Sequence, residues 1–264
     1  MTLPAWITIT RAFYAIALIA FGIQHFLFGD FIAGRAPAWP DGLPGQLLFA
    51  YATGLLLIIS GLAVVADKKA RLAMAVSGIT ILVWAAVRNI YGLAMNPEYG
   101  GLLTSNFKAL TIGSGAFIVA DTFSKEDNSS SLDKLISTMA FAGKYLTALF
   151  LFTAGVQHFL FAEFVKFLVP EWIPGSFFWT YFSAVALIAA GLGLITGIKA
   201  ALAAQLAGWM VFAWVLVLHI PRAIVNANQN EWTAVFEALA VSGLLFLIYV
   251  RESSFVRTGA VRTA

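Results

Sequence analysis

The stretch Gln24-His25-Phe26-Leu27-Phe28 returns, letter for letter, as Gln157-His158-Phe159-Leu160-Phe161. Each copy ends a long apolar run and follows a glycine two or three residues earlier (Gly22, Gly155). Each is succeeded by a loop with Pro-x-Trp, Pro37 to Trp39 and Pro170 to Trp172. The match extends outward in both directions. Arg11 aligns with Lys144 and Phe31 with Phe164; beyond a three-residue difference in the loop, Tyr51 aligns with Tyr181, Gly61 with Gly191, Lys69 with Lys199 and Trp84 with Trp214. Phe107-Lys108-Ala109-Leu110 meets Phe236-Glu237-Ala238-Leu239. The chain therefore reads as two copies of one unit, each built around a histidine.

Composition supplies the medium. Of 264 residues, 61% are apolar and 11% charged, far from the balance of soluble domains. Apolar runs of about twenty residues recur along the chain and mark a polytopic membrane protein. The runs do not alternate apolar and polar positions, which selects helices over a barrel. With no cysteine, disulfides, thiol relays and Cys-ligated iron–sulfur clusters are excluded. The net charge of +3 is spread over loops and reads as an orientation signal, not as a nucleic-acid footprint.

Eight membrane helices are expected, near 6–28, 46–66, 72–92, 103–120, a fifth ending at 161, then 177–196, 200–220 and 231–250. The first lacks a basic leader and is expected to be retained. Residues 1–121 and 138–250 form the two four-helix units, the polar stretch 122–137 a flexible linker, and 251–264 a basic tail. Four is an even number, so both units insert the same way, as parallel repeats. Eleven basic residues fall on the side of the termini and five on the other, which predicts cytoplasmic termini in a bacterial inner membrane.

Depth locates the chemistry. His25 lies fourteen residues beyond Arg11, and His158 fourteen beyond Lys144, roughly 21 Å at ~1.5 Å per residue. Lys108 and Glu237 reach a similar level on helices running the other way. Ionisable groups at that depth are functional candidates. The first unit supplies Gln24, His25, Arg88, Asn89 and Lys108, with Trp84 one turn from Arg88 and suited to a cation–π contact. The second supplies Gln157, His158, His219, Arg222 and Glu237, with Glu237 expected to be protonated or paired with Arg222 or His219. His25 and His158 are the proton-handling candidates, and the others are ligand-binding. Bridging between helices and snorkelling of Lys108 are the structural alternatives. Haem is disfavoured because each histidine sits in its own polar set, and no HExxH-type spacing indicates a metal.

A histidine, a basic group and an aromatic wall suit a quinone head group, and also a lipid or sterol-like one. Both halves resemble the DoxX family of four-helix membrane proteins. The carriers are the Gln-His-Phe end of the first helix, the Pro-x-Trp loop, the Gly-rich second helix, Lys69 to Ala73 and Lys199 to Ala203 at the start of the third, and Asn106-Phe-Lys-Ala-Leu in the fourth. The resemblance implies four-helix bundles associated with respiratory or redox complexes, related to the DoxD subunit of a thiosulfate:quinone oxidoreductase. Glu237 departs from the fourth-helix lysine. The leading expectation is a quinone-interacting membrane subunit with a redox partner. A binding or transport module for a lipid or small hydrophobic solute, or an assembly subunit, are the alternatives.

Overall fold

The computed structural model describes residues 3–32, 39–40, 42–95, 101–124 and 131–262. Among them the chain is all α-helical. The long helices are α1 (Leu3–Phe28), α2 (Gln46–Val65), α3 (Ala70–Met95), α4 (Gly101–Asp121) and α5 (Ser131–Leu160). A short α6 (Ala162–Val165) and a 3₁₀ turn precede α7 (Ser176–Thr196). Then come α8 (Ala200–Trp214), a π-helical turn at Val215–His219, α9 (Ile220–Asn226) and α10 (Gln229–Arg262). Arg35, Pro37, Pro97 and Lys125 lie outside the described residues.

Seven helical segments are long and apolar enough to cross a membrane: those on α1, α2, α3, α5, α7, the α8–α9 run and α10. α4 is of comparable length but less apolar, and its position explains why. From Thr111 to Ala120 every residue is buried, so protein and not lipid surrounds it and polar side chains such as Thr111 and Ser114 are tolerated. α10 is likewise interior: 67% of its membrane window is buried, against 28–39% for the other six. Large apolar side chains stand exposed along α2, α3, α7 and α8, as a lipid-facing surface requires.

The helices pack in a closed circuit. α1 lies against α2 and α10, α3 against α4, α4 against α5, α5 against α7, α8 against both α7 and α10, and α4 also meets α10. The two halves are thus interleaved: the first helix packs on the last, and α4 on the helix that opens the second half. Without a hydrophobic drive inside lipid, close backbone approach carries much of the association. A Cβ on Gly22 would lie 2.4 Å from the Gly54 carbonyl oxygen of α2, and one on Gly155 2.7 Å from that of Ala184 on α7. Gly45 and Gly175 take left-handed φ of 95° and 77° immediately before α2 and α7.

Two expected boundaries move. Residues 131–137, read as linker, form the first turns of α5, and Asp133 there is buried in an ion pair with Arg71. Arg71 also donates to the Ala120 carbonyl at the end of α4, 2.9 Å away. The same end of the molecule holds Lys144–Glu252 at 3.1 Å, Arg251–Asp121 at 3.6 Å and Arg11, which donates to Thr122 Oγ1 and lies 3.8 Å over the Phe123 ring. The tail does not leave the helix at 251; α10 continues to Arg262. The seventh helix is interrupted where Pro221 has no N–H to donate, and the π turn before it rotates His219 relative to α8.

Candidate functional site

The opposite end of the bundle holds the polar layer. Gln24, His25, Arg88, Asn89 and Glu237 are each less than a tenth exposed. Their helices bring them there by different routes: His25 and Gln24 on the last turn of α1, Arg88 and Asn89 near the end of α3, Lys108 early in α4 and Glu237 early in α10.

His25 Nδ1 donates to the Phe21 carbonyl one turn back, at 2.7 Å, and His158 Nδ1 does the same to Ala154. A carbonyl can only accept, so Nδ1 carries a proton in both rings and Nε2 is the atom left to meet a ligand. Beyond that shared geometry the two surroundings differ. His25 meets the Phe31 ring edge-on at 5.8 Å and lies in electrostatic range of Asp30 and Arg88. His158 stacks near-parallel to Trp214, with ring centres 6.4 Å apart.

An aromatic cluster closes the same end of the first half. Phe31 stacks on Trp39 at 5.6 Å and packs on Trp84 at 5.0 Å, and Phe49 contacts both tryptophans. The Arg88 guanidinium lies 4.7 Å over Phe31. This corrects the expected contact with Trp84, whose indole N–H instead donates to Thr53 Oγ1 at 3.1 Å. One turn of α3 separates residues 84 and 88, but Phe31 from the loop after α1 slides between them and takes the cation.

The largest correction concerns the fourth-helix charges. Lys108 and Glu237, expected in separate sets, pair with each other at 3.0 Å. Arg222, expected near Glu237, pairs with Glu231 at 2.7 Å and donates to the Phe167 carbonyl at 3.3 Å. His219 is in electrostatic range of Lys108, Glu237, Glu231 and Arg222. Gln24 accepts from Thr233 Oγ1 of α10 at 2.9 Å, again across the halves. Gln157 ends α5 half-buried. Thr233, Glu231, Phe31 and Phe49 were missed as site residues. Thr233 had one readable signal, its place one helical turn before Glu237 on the same face of α10. Among the described residues no three His, Asp or Glu converge as metal ligands.

Comparison with known proteins gives one match. A family described as Domain of unknown function (DUF8561) matches residues 146–249. That span runs from within α5 into α10 and holds the second histidine, His219, Arg222 and Glu237. No curated protein and no solved structure matches the chain.

Proposed function

We propose that this protein is a multi-pass subunit of a quinone-linked redox complex in a bacterial inner membrane, with one quinone-type site at the outer end of its first half. The observation that carries the reading is the setting of His25: Nδ1 held by its own helix, Nε2 available, a buried arginine in range, and an aromatic wall of Phe31, Trp39 and Trp84. In this reading His25 exchanges the proton and Arg88 polarises a ring carbonyl. Lys108, already paired with Glu237, holds the halves together. The second half offers Leu218 where the first has Arg88, so its histidine has no cationic neighbour on that turn, and the two copies divide into a binding half and a supporting half.

The architecture proposed is eight spanning helices, α4 being the eighth, arranged as two parallel DoxX-like repeats with cytoplasmic termini. Matching left-handed positions support it: Gly45 with Gly175 and Lys69 with Lys199. So does the equivalence of the glycine crossings at Gly22 and Gly155. The redox cofactor then resides in a partner subunit. The test is a lipid extract of the purified protein: it should contain quinone, and His25→Ala should lower that retention about tenfold, the factor expected for one buried hydrogen bond of about 1.4 kcal/mol. Absence of quinone from the wild-type extract, or full retention by His25→Ala, sinks the proposal.

A further inference from the structure

Two side-chain acceptors in the outer layer receive no hydrogen bond. Asn89 Oδ1 and Asn106 Oδ1 are both buried and both lack a donor, and Asn89 as a whole is 8% exposed. Their relative placement follows from the packing of α3 on α4. Gly78 abuts Phe117 and the Gly113 carbonyl, and Gly113 abuts Leu82, so the helices run antiparallel with 78 beside 117 and 82 beside 113. Seven residues outward along α3 from Leu82 is Asn89; seven residues back along α4 from Gly113 is Asn106. The register therefore places the two residues at the same level on adjacent helices, about 10 Å beyond the Leu82–Gly113 contact.

A buried acceptor without a donor is costly where lipid can supply none, and two at one level call for a ligand that brings hydrogen-bond donors. A metal ion is a poor occupant, because Arg88 adjoins Asn89 and Lys108 lies two residues from Asn106, placing positive charge beside both oxygens. A hydroxyl group is a good one: it is neutral and can donate to an amide oxygen.

We propose that the site takes the hydroxylated, reduced form of its ligand, a quinol, in preference to the quinone, with Asn89 Oδ1 and Asn106 Oδ1 accepting from its hydroxyls. This rests on the quinone-type reading of the His25 site and adds the redox state to it. A quinone presents carbonyl oxygens only; it can accept from Arg88 but cannot donate to either Oδ1. A quinol can satisfy them, and the Arg88 guanidinium still has its oxygens as acceptors. Discrimination by donor pairing is steep, since the wrong form leaves buried groups unmet.

The experiment is calorimetric titration of the full-length protein in detergent, under anaerobic conditions, with decylubiquinol and, separately, decylubiquinone. Wild type should bind the quinol at least about tenfold more tightly. Asn89→Leu and Asn106→Leu should each bring the ratio close to one, mainly by weakening the quinol. Equal binding of the two forms, or tighter binding of the quinone, overturns the proposal while leaving the quinone site in place. An unchanged ratio in both variants overturns the assignment to these amides. Binding of neither form removes the His25 reading as well. If a leucine variant does not fold, Asn89→Ser and Asn106→Ser, which retain an acceptor, should keep a quinol preference, and its loss there counts against the proposal.

Discussion

Lys108 Nζ lies 3.0 Å from Glu237 Oε2, and this ion pair joins α4 of one half to α10 of the other in the layer that holds the buried histidine. The two positions align in the sequence, Phe107-Lys108-Ala109-Leu110 with Phe236-Glu237-Ala238-Leu239, yet one is a cation and the other an anion. Two lysines or two glutamates here would repel across the contact. Opposite charges at these aligned positions make the contact attractive.

Removing one partner should therefore cost more than removing both. Glu237→Gln or Lys108→Met alone should destabilise by on the order of 2 kcal/mol, below the figure for a fully enclosed pair because the Lys108 side chain is 27% exposed. The double variant Lys108→Met/Glu237→Met should recover at least half of that loss. Thermal unfolding in detergent reads all three, and an additive double variant would show that the charges do not interact.

At the other end, Arg71 and Asp133 form a buried pair, and Arg71 also closes the carbonyl end of α4. Asp133→Asn keeps the shape and removes the charge, and should lower stability by about 3 kcal/mol, near the lower end for breaking a buried pair. Arg71→Ala should cost at least as much, because the Ala120 carbonyl loses its donor too. The check is the denaturation midpoint of each variant; a wild-type midpoint for Asp133→Asn would mean that the pair contributes nothing.

Gly22→Val and Gly155→Val should each force α1 from α2 or α5 from α7. The added side chain meets backbone carbonyls within 3 Å, which cannot move as a rotamer would, so a loss of about 2 kcal/mol or more is expected. Gly42→Ala is the useful control. No atom lies within 4 Å of that Cβ, although its φ of 76° adds some strain. Cross-linking yield between cysteines placed on α1 and α2 would report the separation directly.

The two histidines should behave differently despite identical helix-end geometry. His158→Ala and Arg222→Gln should leave quinone retention within about twofold of wild type, since His158 packs on Trp214 and Arg222 is occupied by Glu231. Arg88→Gln should lower retention about tenfold, like the His25 change. Equal losses from both histidines would mean two working sites.

Much of the fold was readable because hydropathy is a property of single segments: each long run became helical, most near their expected limits, while α10 runs on to Arg262 and the seventh run divides into α8, a π turn and α9. The depth of the polar layer was also readable, because rise per residue is constant and Arg11, Lys144, His25 and His158 can be counted along their helices. Pairing was not readable. Lys108 reaches Glu237, and Gln24 reaches Thr233, only because the halves interleave, and nothing in the spacing along α1 or α4 specifies which neighbour a helix will choose. Arg88 sat one turn from Trp84 in the helical pattern, yet a loop residue, Phe31, took the contact; loops obey no periodicity that would have announced it. The linker misread at 131–137 has the same origin. Asp133 looks like solvent-exposed polar sequence until Arg71 is brought to meet it.

The packing of α1 against α10 has a consequence for how the protein is made. Gln24 is synthesised with α1, and its partner Thr233 follows only with α10. Throughout synthesis of the intervening two hundred or so residues, the nascent chain holds that amide, and the face of α1 that packs on α10 (Thr10 and Phe13 against Gly243), without their final neighbours. Assembly thus includes a late docking of α10 onto a helix made long before it, and a chain released before α10 leaves α1 without its seat.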